Sequence, residues 1–282
     1  MSNFSVVHMY TPASSDSRLH GALTKGADVV IFDLEDAVSK VQKSQARRNL
    51  VELLQGLEKV EGHSNIHVRI NSLDSPWGDE DLNSLADVPN LSGIRIPKVT
   101  SASDVHRVAE KMPDKELHAL IEDAVGVSAL SEICHAESVT GVSLGDNDLR
   151  AAFHLRGENL LNHLRAQLVL ELASAGKRPP LGSVFPDIKD SEGLYQNSLR
   201  LRDLGFSGRT CIHPSQIDPI RRAFAPSQAE VDKAKAIIEA AQEAEKRGDG
   251  AVALPDGSFV DSPFVMHAEY VISLSKGITP VN

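Results

Sequence analysis

The sequence predicts an α/β chain, a (β/α)8 TIM barrel followed by a C-terminal helical and hairpin extension. Three observations carry that expectation. Eight short runs are rich in Val, Ile and Leu; helix-like stretches separate them, giving units of roughly 25 to 40 residues; and acids and other polar residues gather where the runs end.

The eight candidate strands begin with "SVVHMY" at Ser5, "DVVIFDLED" at Asp28, "NIHVRIN" at Asn65 and "GIRIPKV" at Gly93. They continue with "LHALIED" at Leu117, "GVSLGD" at Gly141, "GSVFPDI" at Gly182 and "TCIHP" at Thr210. Between them, "SQARRNLVELLQGL", "ASDVHRVAEKM", "ALSEICHA", "LLNHLRAQLVLELASAG" and "SEGLYQNSLRLRDLG" read as helices, several opening on Ser or closing on Gly as caps should. A doubly wound sheet is the competing architecture. No strand runs into G-x-G-x-x-G, and "GALTKGAD" has Ala27 and Asp28 where a phosphate-binding loop needs Lys and Ser or Thr. The barrel is assigned to residues 1–225 and the extension to 226–282. In the extension, "PSQAEVDKAKAIIEAAQEAEKRG" is a charged helix opened by a Ser227–Glu230 capping box, and a hairpin around Asp256-Gly257 leads into a last helix.

Composition bounds the function. At 282 residues, with 41% hydrophobic and 24% charged residues, the chain has material for a large core. A net charge of −10 argues against nucleic acid or an anionic membrane as partner, since both require basic patches. Cys134 and Cys211 stand in no metal-binding or redox spacing. No apolar run approaches the ~18 residues of a membrane span, and the N-terminus lacks the basic and apolar regions of a secretion signal, so the expected compartment is the cytoplasm.

Active-site residues of a parallel barrel come from the C-terminal ends of its strands. There the sequence places Glu35 and Asp36, Arg69 and Asn71, Lys98, Glu122 and Asp123, Asp146 and Asp148, Asp187 and Asp190, and His213. Alternation along the third strand puts His67, Arg69 and Asn71 on one face, so Arg69 is expected to meet an anion in the barrel mouth: a substrate, or an acid on a neighbouring strand. Carboxylates crowded on one rim either raise one another's pKa or hold a cation. All-oxygen donors with no Cys select Mg2+, with Mn2+ as the alternative; caps and surface ion pairs are the plainer reading of the same acids. Lys98 is a Schiff-base candidate by position, more simply an ion-paired amine. His213 is a general-base candidate or a structural cap, and Trp77 packs on a ligand or anchors its loop.

In order and spacing, "GADVVIFDLEDAVSKVQKSQAR", "VRIN", "RIPKV", "LIEDAVGV", "SLGDNDL", "LGFSGRTCIHPSQI" and "DGSFVDSPFVMHA" resemble the citrate lyase beta subunit and malyl-CoA lyase family of acyl-thioester lyases. The resemblance implies a barrel that assembles as a homotrimer or hexamer and uses Mg2+ to make or break a carbon-carbon bond between an acyl-thioester enolate and a 2-oxo acid. It implies Glu122 and Asp148 as metal ligands and Arg69 on the oxo-acid or enolate oxygen. Glu35 and Asp36 would lie beside the metal, and Asp261 would be the acid/base residue, carried by an extension that packs on a neighbouring subunit. Three positions depart from the family pattern: Asp123 where Thr is frequent, Gly182 where an acid is frequent, and "LGDNDL" in place of Gly-x-Glu-Asp.

The activity the resemblance implies is cleavage of a 3-hydroxy-3-carboxyalkyl thioester of the citramalyl-CoA, malyl-CoA or citryl-CoA type to an acetyl thioester and a 2-oxo acid. The carrier is free coenzyme A or an acyl-carrier protein. Arg18 and Lys25 are the candidate contacts for a pantetheine diphosphate. A thioesterase on the same substrates and a non-catalytic scaffolding subunit are the alternatives.

Overall fold

The computed structural model describes residues 5–57, 65–247, 252–253 and 259–277. Eight parallel strands form one sheet: β1 Val7–Pro12, β2 Val29–Asp33, β3 Asn65–Arg69, β4 Gly93–Ile96, β5 Glu116–Ile121, β6 Gly141–Leu144, β7 Leu181–Gly182 and β8 Gly208–Cys211. Their order is β6-β5-β4-β3-β2-β1-β8-β7, so the sheet curls into a nearly closed (β/α)8 barrel. At the seam between its two end strands, the Ser143 hydroxyl of β6 donates to the Leu181 carbonyl of β7 at 3.2 Å.

Strands covered on both faces must be apolar almost without interruption, and Val29 through Phe32 are buried accordingly. The expected helices form at Lys43–Gly56, Ala102–Lys111, Leu130–His135, Asn159–Ser174 and Ser191–Asp203. Local capping explains where several begin: the Asp104 carboxylate accepts from the Thr100 and Ser101 N–H groups at 2.8 and 3.0 Å, and Asp190 accepts from Gly193 N–H at 2.8 Å.

The seventh strand differs from expectation. It covers Leu181–Gly182 instead of running on from Gly182, and Ser183 and Val184 instead line a cavity. Pro186 has no N–H to offer a ladder, and the Phe185 carbonyl is taken by the Gln216 amide at 2.8 Å.

The barrel interior carries an unexpected polar layer. His8 of β1, His67 of β3, Arg95 of β4 and His118 of β5 are all buried, and Arg95 is among the largest fully enclosed side chains. The layer is built into the strand register. His67 pairs across from Gly93 and His118 from Gly141, and a Cβ on either glycine would come within 2.6 Å of the facing imidazole. His8 bonds to Ser5 and to Arg95, and His118 to Ser143 at 2.8 Å. Burial, then the Arg95 charge, holds the pKa of all three histidines well below the ordinary value, so the rings are neutral.

The chain divides into two compact units, one of Ser5–Ala223 and one that includes the residues from Phe224 onward. The second unit holds a helix at Gln228–Arg247, opened by the expected capping box: Ser227 N–H donates to Glu230 at 2.7 Å and Glu230 N–H to the Ser227 hydroxyl at 3.2 Å. Antiparallel strands β9 Val252–Ala253 and β10 Phe259–Val260 follow, then a helix at Ser262–Gly277. Ala234, Ile237, Val260 and Ala268 form this unit's core. The Asp256-Gly257 turn lies outside the described residues.

Candidate active site

The acids that end β2 have three different fates. Asp33 is almost fully enclosed; its two oxygens accept from the backbone N–H of Glu35 at 2.8 Å and of Ala37 at 3.0 Å, pinning the turn. The same oxygens take the Nε and Nη2 of Arg69 at 2.8 and 2.7 Å, a two-pronged pair between register partners on adjacent strands. Glu35 is buried between the Lys98 ammonium, which donates to its Oε1, and Arg69 Nη1, 3.2 Å from its Oε2. Asp36 is the exposed one, with its side chain 64% accessible and 3.7 Å from Arg69 Nη1.

These contacts set the charge states. Burial disfavours the Arg69 cation, but the hydrogen bonds and charge of Asp33 outweigh it and hold the guanidinium above its ordinary pKa. Burial raises the pKa of Glu35, and the Arg69 and Lys98 cations in contact with it oppose that rise. Lys98, opposed by burial and favoured by Glu35, stays an ammonium, so it does not serve as an imine-forming amine.

Across the barrel mouth, Glu122 follows β5 and Asp148 sits in the first turn of the Asp146–Ala152 helix after β6. Gly145 brings them together. A Cβ there would lie 2.6 Å from Glu122 Cγ and 3.2 Å from both Glu122 Oε1 and Asp148 Oδ2, so only a residue without a side chain lets both carboxylates lie against this backbone. Glu122 is anchored by the Lys98 N–H, which donates to Oε2 at 2.9 Å. Burial, the charges of Glu35 and then Asp148 push its pKa up to about 7. A buried carboxylate facing other carboxylates is a site short of positive charge.

That shortage fits Mg2+. Among the described residues no cluster of three His, Cys, Asp or Glu side chains converges as a metal cage. Mg2+ does not need one, because it takes one or two carboxylates and leaves its remaining positions to water and substrate oxygens. Glu122 and Asp148 are the pair that would hold it.

A cavity of about 500 Å³ opens over these groups, lined by Arg69, Glu122, Asp148, Asp33 and Asp36, with Tyr10, Leu120, Leu144 and Ile212 as larger walls and Arg18 at its edge. All its lining residues belong to the Ser5–Ala223 unit. The mixture of apolar walls and a few convergent charges is what a small anionic ligand requires.

Other expectations resolve individually. Asn71 turns away from the mouth, its amide donating to Asp81 at 2.7 Å. Asp123 caps the Ala124–Ser128 helix through Gly126 N–H at 2.8 Å, and Asp146 is paired with the Arg165 cation. His213 accepts from Ser215 N–H as a cap, and Trp77 anchors its loop beneath the Lys43 ammonium, 5.4 Å from the ring centre. Asp261 belongs to the other compact unit, where its carbonyl accepts from Phe264 N–H at the start of the last helix and its Oδ1 is buried with no hydrogen-bond partner. Sequence reasoning left Tyr10 and Gly145 out of the site. Tyr10 shares a strand face with Pro12, which also lines the cavity, and that parity was the available signal.

Comparison with known proteins identifies the family. The chain is 36% identical over 272 residues to the (3S)-malyl-CoA thioesterase of Cereibacter sphaeroides, an alignment covering 96% of this chain and 94% of that protein. It is 33% identical over 288 residues to the citrate lyase subunit beta of Escherichia coli strain K12, covering 95% and 92%. Among solved structures, CitE from Mycobacterium tuberculosis in complex with magnesium, acetoacetate and coenzyme A superposes with a TM-score of 0.82 at 30% identity, covering 96% of this chain and 98% of that one. The citrate lyase beta subunit of the same organism, complexed with oxaloacetate and magnesium, superposes at 0.68 with 31% identity, covering 78% and 96%. Residues 7–214 match the HpcH/HpaI aldolase/citrate lyase family, and with relatives of these identities over nearly the whole chain, the protein belongs to that family.

Proposed function

We propose that this chain is a Mg2+-dependent carbon-carbon lyase that cleaves a 3-hydroxy-3-carboxyalkyl thioester, of the malyl-CoA, citramalyl-CoA or citryl-CoA type, into an acetyl thioester and a 2-oxo acid. The observation that carries the reading is the pairing of Glu122 with Asp148 against Gly145, opposite Arg69, in one cavity. Glu122 and Asp148 would hold Mg2+, or Mn2+ as a substitute the same oxygens would accept, and the ion would supply Lewis-acid polarisation of substrate oxygens.

The chain's own residues do the rest. Arg69, fixed by Asp33 on one edge and with Nη1 beside Glu35 and Asp36, lines the cavity and donates to the thioester oxygen as it gains charge. Glu35 and Asp36 keep that cation oriented and offer acceptors beside the metal site. Asp261 is assigned the proton transfers, delivered by the C-terminal unit of a neighbouring subunit in a trimer or hexamer. The walls at Leu120, Leu144 and Ile212 exclude water from the acyl chain.

A second reading is hydrolysis of the same thioesters, favoured by the 36% identity to a malyl-CoA thioesterase. One experiment separates the two. The purified chain is incubated with each thioester and Mg2+, and products are resolved by chromatography. Acetyl-CoA with glyoxylate, pyruvate or oxaloacetate marks the lyase, and free coenzyme A marks the thioesterase. Inertness toward all three, on free coenzyme A and on acyl-carrier protein alike, rejects both and leaves the scaffolding role.

A further inference from the structure

Of the neutral donors that line the cavity, Tyr10 is the one stacked on Arg69, and the reading above gives it no task. Tyr10 is the third residue from the end of β1, and parity along that strand places it on the inward face with His8 and Pro12. It lines the cavity together with Arg69, Glu122 and Asp33. The guanidinium carbon of Arg69 lies 5.0 Å from the centre of its ring, so the aromatic face is the platform on which the guanidinium rests.

Arg69 itself is heavily committed. Nε and Nη2 are bound to Asp33, and Nη1 faces Glu35 at 3.2 Å and Asp36 at 3.7 Å. Any ligand oxygen that approaches Arg69 therefore competes with carboxylates for its protons. The Tyr10 phenol beside it makes no hydrogen bond to a carboxylate among the described residues, although the charges of Asp33 and Glu122 act on it. Burial raises the Tyr10 pKa, which keeps the hydroxyl a donor at neutral pH.

We propose that the Tyr10 hydroxyl is a second hydrogen-bond donor, beside Arg69, to the carbonyl oxygen of the bound acyl group, and that it stabilises the charge this oxygen gains as the carbon-carbon bond breaks. The proposal rests on the cavity being the substrate site. The electron pair of the breaking bond moves into the acyl group as an enolate; Tyr10 keeps its proton throughout, and no bond to it forms or breaks. Tyr10 is thus a catalytic residue by contact, while its ring separately supports Arg69.

Tyr10→Phe isolates the hydroxyl, because the ring and its contact with Arg69 remain. Removing one preorganised donor of this kind costs ~10² to 10³-fold in turnover at its strongest, and a neutral phenol sharing the task with an arginine is expected to cost at least ~10-fold in kcat/KM. The second readout is independent of turnover. With Mg2+ present, binding of acetoacetate measured by calorimetry should weaken at least ~10-fold in Tyr10→Phe, as expected for loss of a hydrogen bond to a charged or strongly polarised oxygen. The melting temperature should not change. If wild type turns over thioester and Tyr10→Phe matches it within threefold, the proposal falls and the proposed function stands. If wild type is inert toward every thioester, the proposed function falls and the acetoacetate arm decides: equal binding by both proteins, or no binding by wild type, overturns the role of Tyr10.

Discussion

Gly145→Ala is the sharpest test of the site, because the backbone does not require glycine there. Its φ of −85° and ψ of 82° are accessible to any residue, so the constraint is the space its missing side chain leaves. The added methyl would meet Glu122 Cγ at 2.6 Å, about an ångström inside ordinary carbon-carbon contact. Cγ is the middle of the side chain, so the whole Glu122 carboxylate must swing, leaving both Asp148 and the Lys98 N–H that anchors it at 2.9 Å. Overpacking of this kind costs ~1–3 kcal/mol, which in a domain of this size lowers the melting temperature by roughly 2 to 10 °C. The functional loss should be larger: with one of two carboxylate ligands displaced, Mg2+ affinity should fall at least ~10-fold, and activity with it, since even indirect supports of a metal site are worth ~10 to 100-fold. Calorimetric Mg2+ titration and thermal unfolding measure the two effects. Gly157→Ala is the control, because a Cβ there meets nothing within 4 Å. If Gly145→Ala binds Mg2+ like wild type and melts at the same temperature, the convergence of Glu122 and Asp148 on this backbone is not the metal site.

Further outcomes follow from the same geometry. Arg69→Ala should lower kcat by ~10² to 10³-fold, and because it also leaves Asp33 buried without its cation, Arg69→Lys serves as the milder comparison; a wild-type rate in Arg69→Ala removes it from the mechanism. Chelation by EDTA should abolish turnover and added Mg2+ or Mn2+ restore it; activity that persists in EDTA excludes the metal reading. If Asp261 acts across subunits, mixing inactive Asp261→Ala and Arg69→Ala chains under confirmed subunit exchange should recover activity, whereas no recovery assigns the site to one chain. Finally, His8, His67 and His118 are neutral when folded and charge in the unfolded chain below about pH 6.5, so their contribution to stability is complete above that pH and is lost as pH falls. The slope approaches ~1.4 kcal/mol per pH unit for each ring, ~4 for the three. Urea denaturation between pH 6.5 and 5 should detect it, and an unchanged slope in His118→Gln would refute the buried-histidine account.

Much of this protein is legible locally. Strand and helix alternation follows from side-chain period, and the caps at Ser101–Asp104 and Ser227–Glu230 are spacing rules that the backbone obeys. The rim position of Glu35, Asp36, Arg69, Glu122 and Asp148 follows from the direction of parallel strands. The motifs themselves identify the family.

Partnership is what one dimension could not decide. Asp33, Glu35 and Asp36 look alike in sequence, yet Asp33 is spent on a turn and on Arg69, Glu35 on Lys98 and Arg69, and only Asp36 faces solvent, because burial and the register of β2 against β3 divide them. Asp123 and Asp146 look alike as rim acids, yet Asp123 is taken by the Gly126 N–H as a helix cap and Asp146 by the Arg165 cation. The polar layer of His67 and His118 over Gly93 and Gly141 pairs residues 26 and 23 positions apart, a match that exists only once adjacent strands are in register. Composition and period determined that this chain would build a barrel with an acidic mouth. Which acids converge on one glycine, which hold an arginine and which hold the backbone was decided by distances of about 3 Å between residues remote in sequence, and those arise only on folding.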